Sequence, residues 1–132
     1  MTLKLLVIED EALIAMQIEG ALHQQGHSVV GVVDTLSDAM SAADRDRPDL
    51  ALCDVKLGGG ECGRTVAAAL AARGIPCVFL SGNCPDEGGH PLVLGCVPKP
   101  FHVAGLAAAV RAAHAVATGI DGVTPPQGMR FY

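Results

Sequence analysis

Five polar side chains in this chain follow short apolar segments and are of types that handle phosphoryl groups. Glu9 and Asp10 follow the first of these segments, and Asp54, Ser81 and Lys99 each follow a later one. Crowded carboxylates stay ionised when a hard divalent cation lies among them, and Mg²⁺ prefers oxygen ligands that leave room for water and phosphate. An aspartate can be the nucleophile that forms an acyl phosphate, while an ammonium and a hydroxyl stabilise the phosphoryl oxygens. The set predicts phosphoryl transfer to Asp54 with Mg²⁺ as cofactor.

The elements that must position these side chains are five apolar strands alternating with helices. The predicted strands are residues 3–8, 28–33, 50–53, 77–80 and 94–97. Most of them are separated by segments in which apolar residues recur at helical spacing. Such alternation predicts an α/β fold with a parallel sheet and helices on both faces. Ligands of these sheets bind beyond the carboxyl ends of the strands, so the five side chains are expected to meet at one rim.

Two segments of the chain break the regular pattern. Residues 83–92 contain two prolines and two glycines, which argues against a good helix there. The segment from Thr118 onward is rich in glycine and proline. We therefore expect one domain over residues 1–117 and a flexible C-terminal tail over 118–132.

Composition narrows the functional classes. The 132 residues fit one domain, half of them are hydrophobic, and the net charge is −5 without a cluster of lysines or arginines. This charge balance disfavours DNA and anionic membranes as partners. The N-terminus lacks the layout of a signal peptide, and no apolar stretch approaches a membrane span, so a cytoplasmic location is expected.

The five cysteines are expected to be reduced. Cys53, Cys77 and Cys96 lie within apolar runs, and none of the five forms a C-x-x-C pair. Small buried hydrophobic residues in a reducing compartment explain them better than a zinc site does.

Each functional residue also has an ordinary structural explanation. Asp54 alone would most often be a turn or cap residue. The acidic residues at 9–11 could simply stabilise the helix that follows, through its dipole. Ser81 with Gly82 could be a simple turn, and Lys99 an exposed loop charge. The order of the set, with each member at the end of a different strand, favours the functional interpretation.

At this point the sequence resembles the receiver domain of bacterial response regulators over residues 3 to about 117. The resemblance rests on four motifs, Val7–Glu11, Leu52–Leu57, Phe79–Gly82 and Pro98–Phe101. It implies a CheY-like, flavodoxin-like, doubly wound sheet of five parallel strands in the order 2-1-3-4-5. The fourth helix of that fold is expected to be short or disordered here.

The resemblance also implies the roles of the acidic residues. Asp54 would be the phosphoacceptor and a metal ligand, and Asp10 would bind Mg²⁺ directly. Glu9 would bind the ion through a water molecule, and the main-chain carbonyl of Lys56 would be the last ligand that the protein supplies.

The remaining residues would contact the phosphoryl group. Ser81 would be the switch hydroxyl, Gly82 would leave the backbone beside it open, and Lys99 would bind phosphate. The peptide bond before Pro100 would be cis, which is a mild cost before proline.

Two features depart from common receivers. Many receivers carry an aromatic residue where this chain has Cys96, so coupling through burial of that ring cannot operate in its usual form. The motifs around Asp54 and Ser81 are similar to those of a stand-alone subgroup with a Phe-Ala-Thr-Gly motif in alphaproteobacteria, although Leu80, Ser81 and Asn83 differ from it.

The resemblance predicts a single-domain response regulator in a two-component system. A sensor histidine kinase or a phosphotransfer protein would phosphorylate it. The output would be a downstream protein contact, phosphorelay or a phosphate sink, and homodimer formation is left open. It would catalyse its own phosphorylation and dephosphorylation without being an enzyme in the usual sense. The alternatives are a pseudo-receiver that binds partners without phosphorylation and a haloacid-dehalogenase-type phosphatase, which would need an aspartate where Lys56 stands.

Overall fold

The computed structural model describes residues 2–132, which form six strands and four helices. In chain order the elements are β1 (Lys4–Ile8), α1 (Ala12–Gln24), β2 (Ser28–Val33), α2 (Leu36–Asp46), β3 (Leu50–Asp54), α3 (Gly63–Ala72), β4 (Cys77–Ser81), β5 (Val93–Pro98), α4 (Val103–Ala117) and β6 (Arg130–Phe131). The alternation of strands and helices predicted from the sequence is confirmed.

The strands form one sheet in the order β2-β1-β3-β4-β5-β6. The first five are parallel, and β6 runs antiparallel to β5. Helices α1 and α4 cover one face, while α2 and α3 cover the other. The doubly wound fold with the expected order of its first five strands is therefore confirmed, and a sixth strand is added at the edge.

The central strands are apolar because both of their faces are covered. Leu5 and Val7 of β1 enter the core beneath α1 and α4, whereas Leu6 and Ile8 enter the core beneath α2 and α3. This alternation is the two-residue period of a strand. Both sets are fully buried, which fixes the register of β1 and so the position of the residues that follow it.

Helix α2 illustrates how the sequence sets the ends of the helices. The Thr35 hydroxyl accepts a hydrogen bond from the Asp38 backbone N–H at 3.1 Å and so caps the start of the helix. The helix ends before Arg47, which is in the left-handed region with φ of 45° and precedes Pro48. These residues set the two ends of α2 between the end of β2 and the start of β3.

The connection between β4 and β5 contains no helix. Residues 82–92 form turns and irregular backbone, which we call the β4–β5 loop. The expected fourth helix of the fold is thus absent from this segment, consistent with its glycines and prolines.

The prediction of a flexible tail was wrong for the last residues of the chain. Strand β6 pairs with Gly95 and Cys96 of β5, Met129 is buried, and the Tyr132 backbone N–H donates to the Leu94 carbonyl at 3.0 Å. Apolar Met129 and Phe131 explain this packing, since they join the core beneath α4. Glycine and proline content alone therefore failed to predict a segment anchored by three large apolar or aromatic side chains.

The prediction of five reduced cysteines was also wrong in part. Cys84 of the β4–β5 loop forms a disulfide with Cys96 of β5, with their Cα atoms 5.9 Å apart. Cys53 and Cys77 are free and buried, as predicted, and Cys62 is free and exposed. The β4–β5 loop brings Cys84 against β5, and no spacing motif in the sequence predicts this pairing.

Candidate functional site

An acidic pocket lies at the carboxyl ends of β1 and β3. Glu9 and Asp10 directly follow β1, and Asp54 is the last residue of β3. One oxygen from each of the three carboxylates lies within 4.8 Å of the other two. Glu9 and Asp54 are only 3% and 6% exposed, whereas Asp10 is exposed at the mouth of the pocket. The structure thus brings together the three carboxylates that the sequence singled out.

Lys99 enters the same pocket from the end of β5. Its Nζ lies 2.9 Å from Glu9 Oε1 and 3.3 Å from Asp54 Oδ2. The backbone leaves β5 through a cis Lys99–Pro100 peptide, as predicted, and the Lys99 N–H donates to the Ser81 carbonyl at 2.8 Å. Three carboxylates and one ammonium leave a formal charge of −2 in the pocket.

Burial and the neighbouring charges shift the pKa values of Glu9 and Lys99. Burial raises the pKa of the Glu9 carboxyl above its ordinary value, and repulsion from Asp54 adds to the rise although the hydrogen bond from Lys99 opposes it. Burial by itself lowers the pKa of Lys99, but the hydrogen bond to Glu9 and the charge of Asp54 outweigh it, so its pKa is raised. The ammonium is therefore firmly charged, while the carboxylates need further positive charge to lie close together.

Backbone amides hold the two aspartates in place. The Lys56 N–H donates to Asp54 Oδ1 at 3.2 Å, and the Gly58 N–H donates to Asp10 Oδ2 at 2.8 Å. A side chain at Gly58 would lie 2.8 Å from that same carboxylate oxygen, so glycine gives Asp10 its room. Gly58 begins a run of three glycines, and no local pattern marks it as the one that contacts Asp10. The Lys56 carbonyl stays a predicted metal ligand.

Gly63 is a second residue whose importance no local sequence pattern predicts. A Cβ at this first position of α3 would overlap the main-chain carbonyl of Asp54. The Gly63 N–H also donates to the Val55 carbonyl at 2.9 Å. The start of α3 therefore packs directly on the end of β3 and fixes the backbone that carries Asp54.

Ser81 lies at the end of β4, one residue beyond Leu80, which pairs with Asp54 across the sheet. Ser81 is 5% exposed, and its hydroxyl donates to the Asn83 carbonyl at 3.0 Å and accepts from the Asn83 N–H at 3.1 Å. A Cβ at Gly82 would meet no atom within 4 Å, so the backbone there is open, as predicted.

The donor set of the pocket fits a hard divalent cation. It offers carboxylate oxygens from three residues at mutual distances that one ion can span, a formal charge of −2 and one exposed ligand at the entrance. Oxygen-only sites with one or two carboxylates and space for water are those that Mg²⁺ occupies. No sulfur or imidazole ligand accompanies the three carboxylates in this group, so the site does not resemble a zinc centre.

Comparison with known proteins places the chain in a family. The response regulator receiver domain matches residues 5–111, which is most of the chain. This protein therefore belongs to the response regulator receiver domain family, and the resemblance noted in its motifs is confirmed.

Individual relatives agree with this assignment. The chain is 34% identical over 115 residues to the phyllosphere-induced regulator PhyR of Methylorubrum extorquens, covering 83% of this chain and 43% of that protein. It is 39% identical to SdrG of Sphingomonas melonis, with a TM-score of 0.67 over 83% of this chain and 94% of that one. A receiver domain of a modulated diguanylate cyclase from Desulfovibrio desulfuricans superimposes with a TM-score of 0.78 at 28% identity, covering 89% and 98% of the two chains. The chain thus spans less than half the length of PhyR.

Within residues 2–132, none of the helices combines the length and the hydropathy that crossing a bilayer requires.

Proposed function

We propose that this receiver domain accepts a phosphoryl group on Asp54 from a phosphohistidine of a sensor histidine kinase or a phosphotransfer protein. The observation that carries the proposal is the position of Asp54. Its carboxylate shares one pocket with Glu9 and Asp10 and lies 3.3 Å from the Lys99 ammonium. A nucleophilic carboxylate, further oxygen ligands and a fixed cation are the parts that phosphoryl transfer requires.

In this mechanism Asp54 attacks the phosphorus in line, and the bond between phosphorus and the histidine nitrogen breaks. The imidazole of that histidine leaves in its neutral form because it has taken up a proton. Phosphoryl transfer depends on positioning and on neutralising charge at the oxygens. Lys99 supplies one positive charge from a pocket that keeps it protonated. Lys56 N–H and the packing of α3 on β3 hold the nucleophile in place.

Glu9, Asp10, Asp54 and the Lys56 carbonyl would hold Mg²⁺. Bound there, the ion supplies positive charge that offsets the repulsion among the carboxylates and the charge of the phosphoryl oxygens. Without such charge, three crowded carboxylates would repel an incoming anion.

The product would carry a charge of roughly −1.5 to −2 at pH 7, by analogy with other phosphorylated side chains. Ser81 is the group that responds to it, because its hydroxyl can donate to a phosphoryl oxygen once it releases the Asn83 carbonyl. That exchange would couple phosphorylation to the β4–β5 loop.

The kinase would dock beside the pocket, on the surface formed by α1 and the segment after β5. Leu13 and Met16 of α1 are 76% and 66% exposed, and Val103 of α4 is also exposed. Two clefts of about 290 and 540 Å³ lie along this surface and share Phe101 as a lining residue. Large apolar side chains rimmed by polar ones are typical of protein interaction sites.

The output would also be a protein contact, a phosphorelay step or a phosphate sink. Since a histidine kinase uses intracellular ATP, we place the protein in the cytoplasm. The subgroup with a Phe-Ala-Thr-Gly motif remains a prediction from the motifs, as does the boundary of the domain at residue 117.

Intact mass measurement tests the proposal. The full chain is incubated with acetyl phosphate and Mg²⁺ beside Asp54→Ala and a sample with excess chelator. We expect one phosphoryl adduct on the wild type and none on the variant or without Mg²⁺. An equal adduct on Asp54→Ala would contradict the proposal, and the absence of any adduct would favour a pseudo-receiver.

A further inference from the structure

The disulfide between Cys84 and Cys96 joins the β4–β5 loop to the buried edge of the sheet. Cys96 is fully buried in β5, whereas Cys84 is only partly buried. Twelve positions separate the two residues, so the bond closes the loop on itself. The start of the loop is therefore covalently fixed to the strand that ends at Pro98, directly before Lys99.

The fixed residue is adjacent to the partner of the Ser81 hydroxyl. Asn83 precedes Cys84 directly, and both hydrogen bonds of the Ser81 hydroxyl go to the Asn83 backbone. Holding the Cα of Cys84 at 5.9 Å from that of Cys96 restricts where the Asn83 carbonyl and N–H can lie. The disulfide thus stabilises the arrangement in which Ser81 is occupied by its own loop.

Release of Ser81 requires the loop to rearrange. If the hydroxyl turns toward Asp54, it gives up both of its hydrogen bonds to the Asn83 backbone. Asn83 is exposed, so its N–H and carbonyl can bond water instead, but the turn that these two hydrogen bonds close opens when the hydroxyl leaves. A loop tied at Cys84 has fewer ways to rearrange than an untied one.

A second set of contacts holds the next residue of the loop. The Pro85 carbonyl accepts hydrogen bonds from the Tyr132 hydroxyl at 2.7 Å and from Arg130 Nη1 at 3.1 Å. These noncovalent contacts keep the loop folded when the disulfide is open. Opening the bond is therefore expected to loosen residues 82–84 rather than unfold the whole loop.

We propose that the Cys84–Cys96 pair is a redox switch on the acidic pocket: the disulfide locks the resting arrangement of Ser81, and the dithiol form permits the response to an anion on Asp54. This inference rests on the proposed function and assigns a mode of regulation to the same site. In the cytoplasm, where thiols are kept reduced, the dithiol would be the default form. Oxidation to the disulfide would prevent Ser81 from responding to phosphorylation of Asp54.

The chemistry is thiol–disulfide exchange: a low-molecular-weight disulfide forms the bond and is itself reduced to two thiols, and a low-molecular-weight thiol or a protein dithiol opens it. The reductant's thiolate attacks the sulfur of Cys84, the more accessible of the two, and the sulfur–sulfur bond breaks. The electron pair leaves on Cys96, whose thiolate takes up a proton. A second thiol of the reductant attacks the mixed disulfide and releases Cys84 as a thiol, so two electrons and two protons enter the protein and the reductant leaves as a disulfide.

The test compares the affinity of the two redox forms for beryllofluoride, a phosphoryl mimic, with Mg²⁺ present. Full-length wild type is prepared oxidised and after reduction by dithiothreitol, and binding is followed by ¹⁹F NMR. We expect the reduced form to bind about tenfold more tightly, within the usual range of coupling between two sites. Because coupling is reciprocal, saturating beryllofluoride should shift the dithiothreitol midpoint of disulfide reduction by the same factor.

Variants and exchange measurements separate this effect from others. Cys84→Ser should bind like the reduced wild type with or without dithiothreitol, whereas Cys62→Ser, which removes an exposed free thiol, should keep the redox difference. Hydrogen exchange of residues 82–84 should be faster in the reduced wild type.

The outcomes distinguish the two proposals. Equal beryllofluoride affinity of the oxidised and reduced wild type would overturn the redox switch and leave the phosphoacceptor function intact. Equal hydrogen exchange in the two forms would likewise contradict the restraint on which the switch depends. Failure of both forms to bind would refute the proposed function itself and the switch with it.

Discussion

Two walls of the acidic pocket are built in different ways. The wall to which we assign the phosphoryl chemistry, here called the catalytic wall, comprises Glu9, Asp10, Asp54 and Lys99, which follow or end strands whose side chains are almost fully buried. The switch wall comprises Ser81 and the β4–β5 loop, which has no helix or strand of its own. The first is positioned by the core of the domain, and the second by a disulfide and by the C-terminal segment.

The difference shows which part of the site is rigid and which part can change its structure. A side chain at the end of a buried strand can move little, because any shift disturbs both apolar cores. A loop held by one covalent bond and a few hydrogen bonds has local stability that can be changed without touching the core. Phosphoryl chemistry needs the first property, and signalling needs the second.

Gly63→Ala should produce the largest loss of stability if the catalytic wall is as tightly packed as we describe. The added Cβ would overlap the Asp54 carbonyl, and overpacking of this kind costs up to about 3 kcal/mol. Urea unfolding measures the free energy of unfolding. Gly20→Ala is the matched control, since Gly20 lies on the exposed face of α1 and a Cβ there meets no atom within 4 Å, and a gain of about 0.5–1 kcal/mol is expected. A loss at position 63 no larger than a few tenths would show that the wall can yield.

Lys99→Ala should slow phosphoryl incorporation by about 100-fold, the usual effect of removing one charge-stabilising donor from a transition state. The ammonium contacts both Glu9 and Asp54, so its loss also leaves three carboxylates without a protein cation. The rate of adduct formation from acetyl phosphate measures the effect, with Lys4→Ala as a distant lysine control. A wild-type rate for Lys99→Ala would remove this residue from the catalytic wall.

Magnesium should stabilise the catalytic wall by offsetting its formal charge of −2. At a concentration of ten times Kd, a ligand that binds the folded state alone adds about 1.4 kcal/mol to the free energy of unfolding. Asp10→Asn should lose most of this gain, whereas Glu11→Gln removes a neighbouring charge outside the carboxylate cluster and should retain it. Equal magnesium effects in the two variants would argue against a site that includes Asp10.

Substitution of His27, which lies outside both walls, should give the smallest change in the free energy of unfolding. It is buried and accepts a hydrogen bond from the Leu3 N–H at 3.1 Å, and burial lowers its pKa below the ordinary value of 6.5, with nearby Arg111 and His114 acting in the same direction. A lowered folded pKa means that the unfolded chain binds the proton more readily.

The contribution of His27 to stability is therefore complete above pH 6.5 and is lost as the pH falls below that value. Urea unfolding of wild type and His27→Gln between pH 7.5 and 5.5 tests this prediction. The difference between the two proteins should shrink as the pH falls. A difference that stays constant over this range would contradict it.

The sequence predicted the catalytic wall because strand ends are encoded locally. The apolar runs before Glu9, Asp54 and Lys99 mark three strands, and parallel strands bring their carboxyl ends to one rim. Gly58 and Gly63 escaped assignment because their importance lies in contacts across the chain, with Asp10 and with the Asp54 carbonyl. No local pattern distinguishes such glycines from those of an ordinary loop.

The switch wall could be predicted only in part, since its structure depends on long-range contacts. The breakers within residues 83–92 correctly argued against a helix. The Cys84–Cys96 bond and the pairing of β6 with β5 arise when the loop and the chain end meet at the sheet edge. Neither contact follows from a local sequence pattern. The glycine and proline content that predicted a flexible tail carries no information about Met129 and Tyr132, which anchor the end of the chain.

The most direct test of the central claim is to locate the phosphoryl group. Treatment with acetyl phosphate and Mg²⁺, followed by borohydride, converts an aspartyl phosphate to homoserine, which peptide mass spectrometry assigns to one position. We predict homoserine at residue 54, dependent on Mg²⁺ and on Lys99. Homoserine at another aspartate, or at none while the folded protein binds Mg²⁺, would contradict the account.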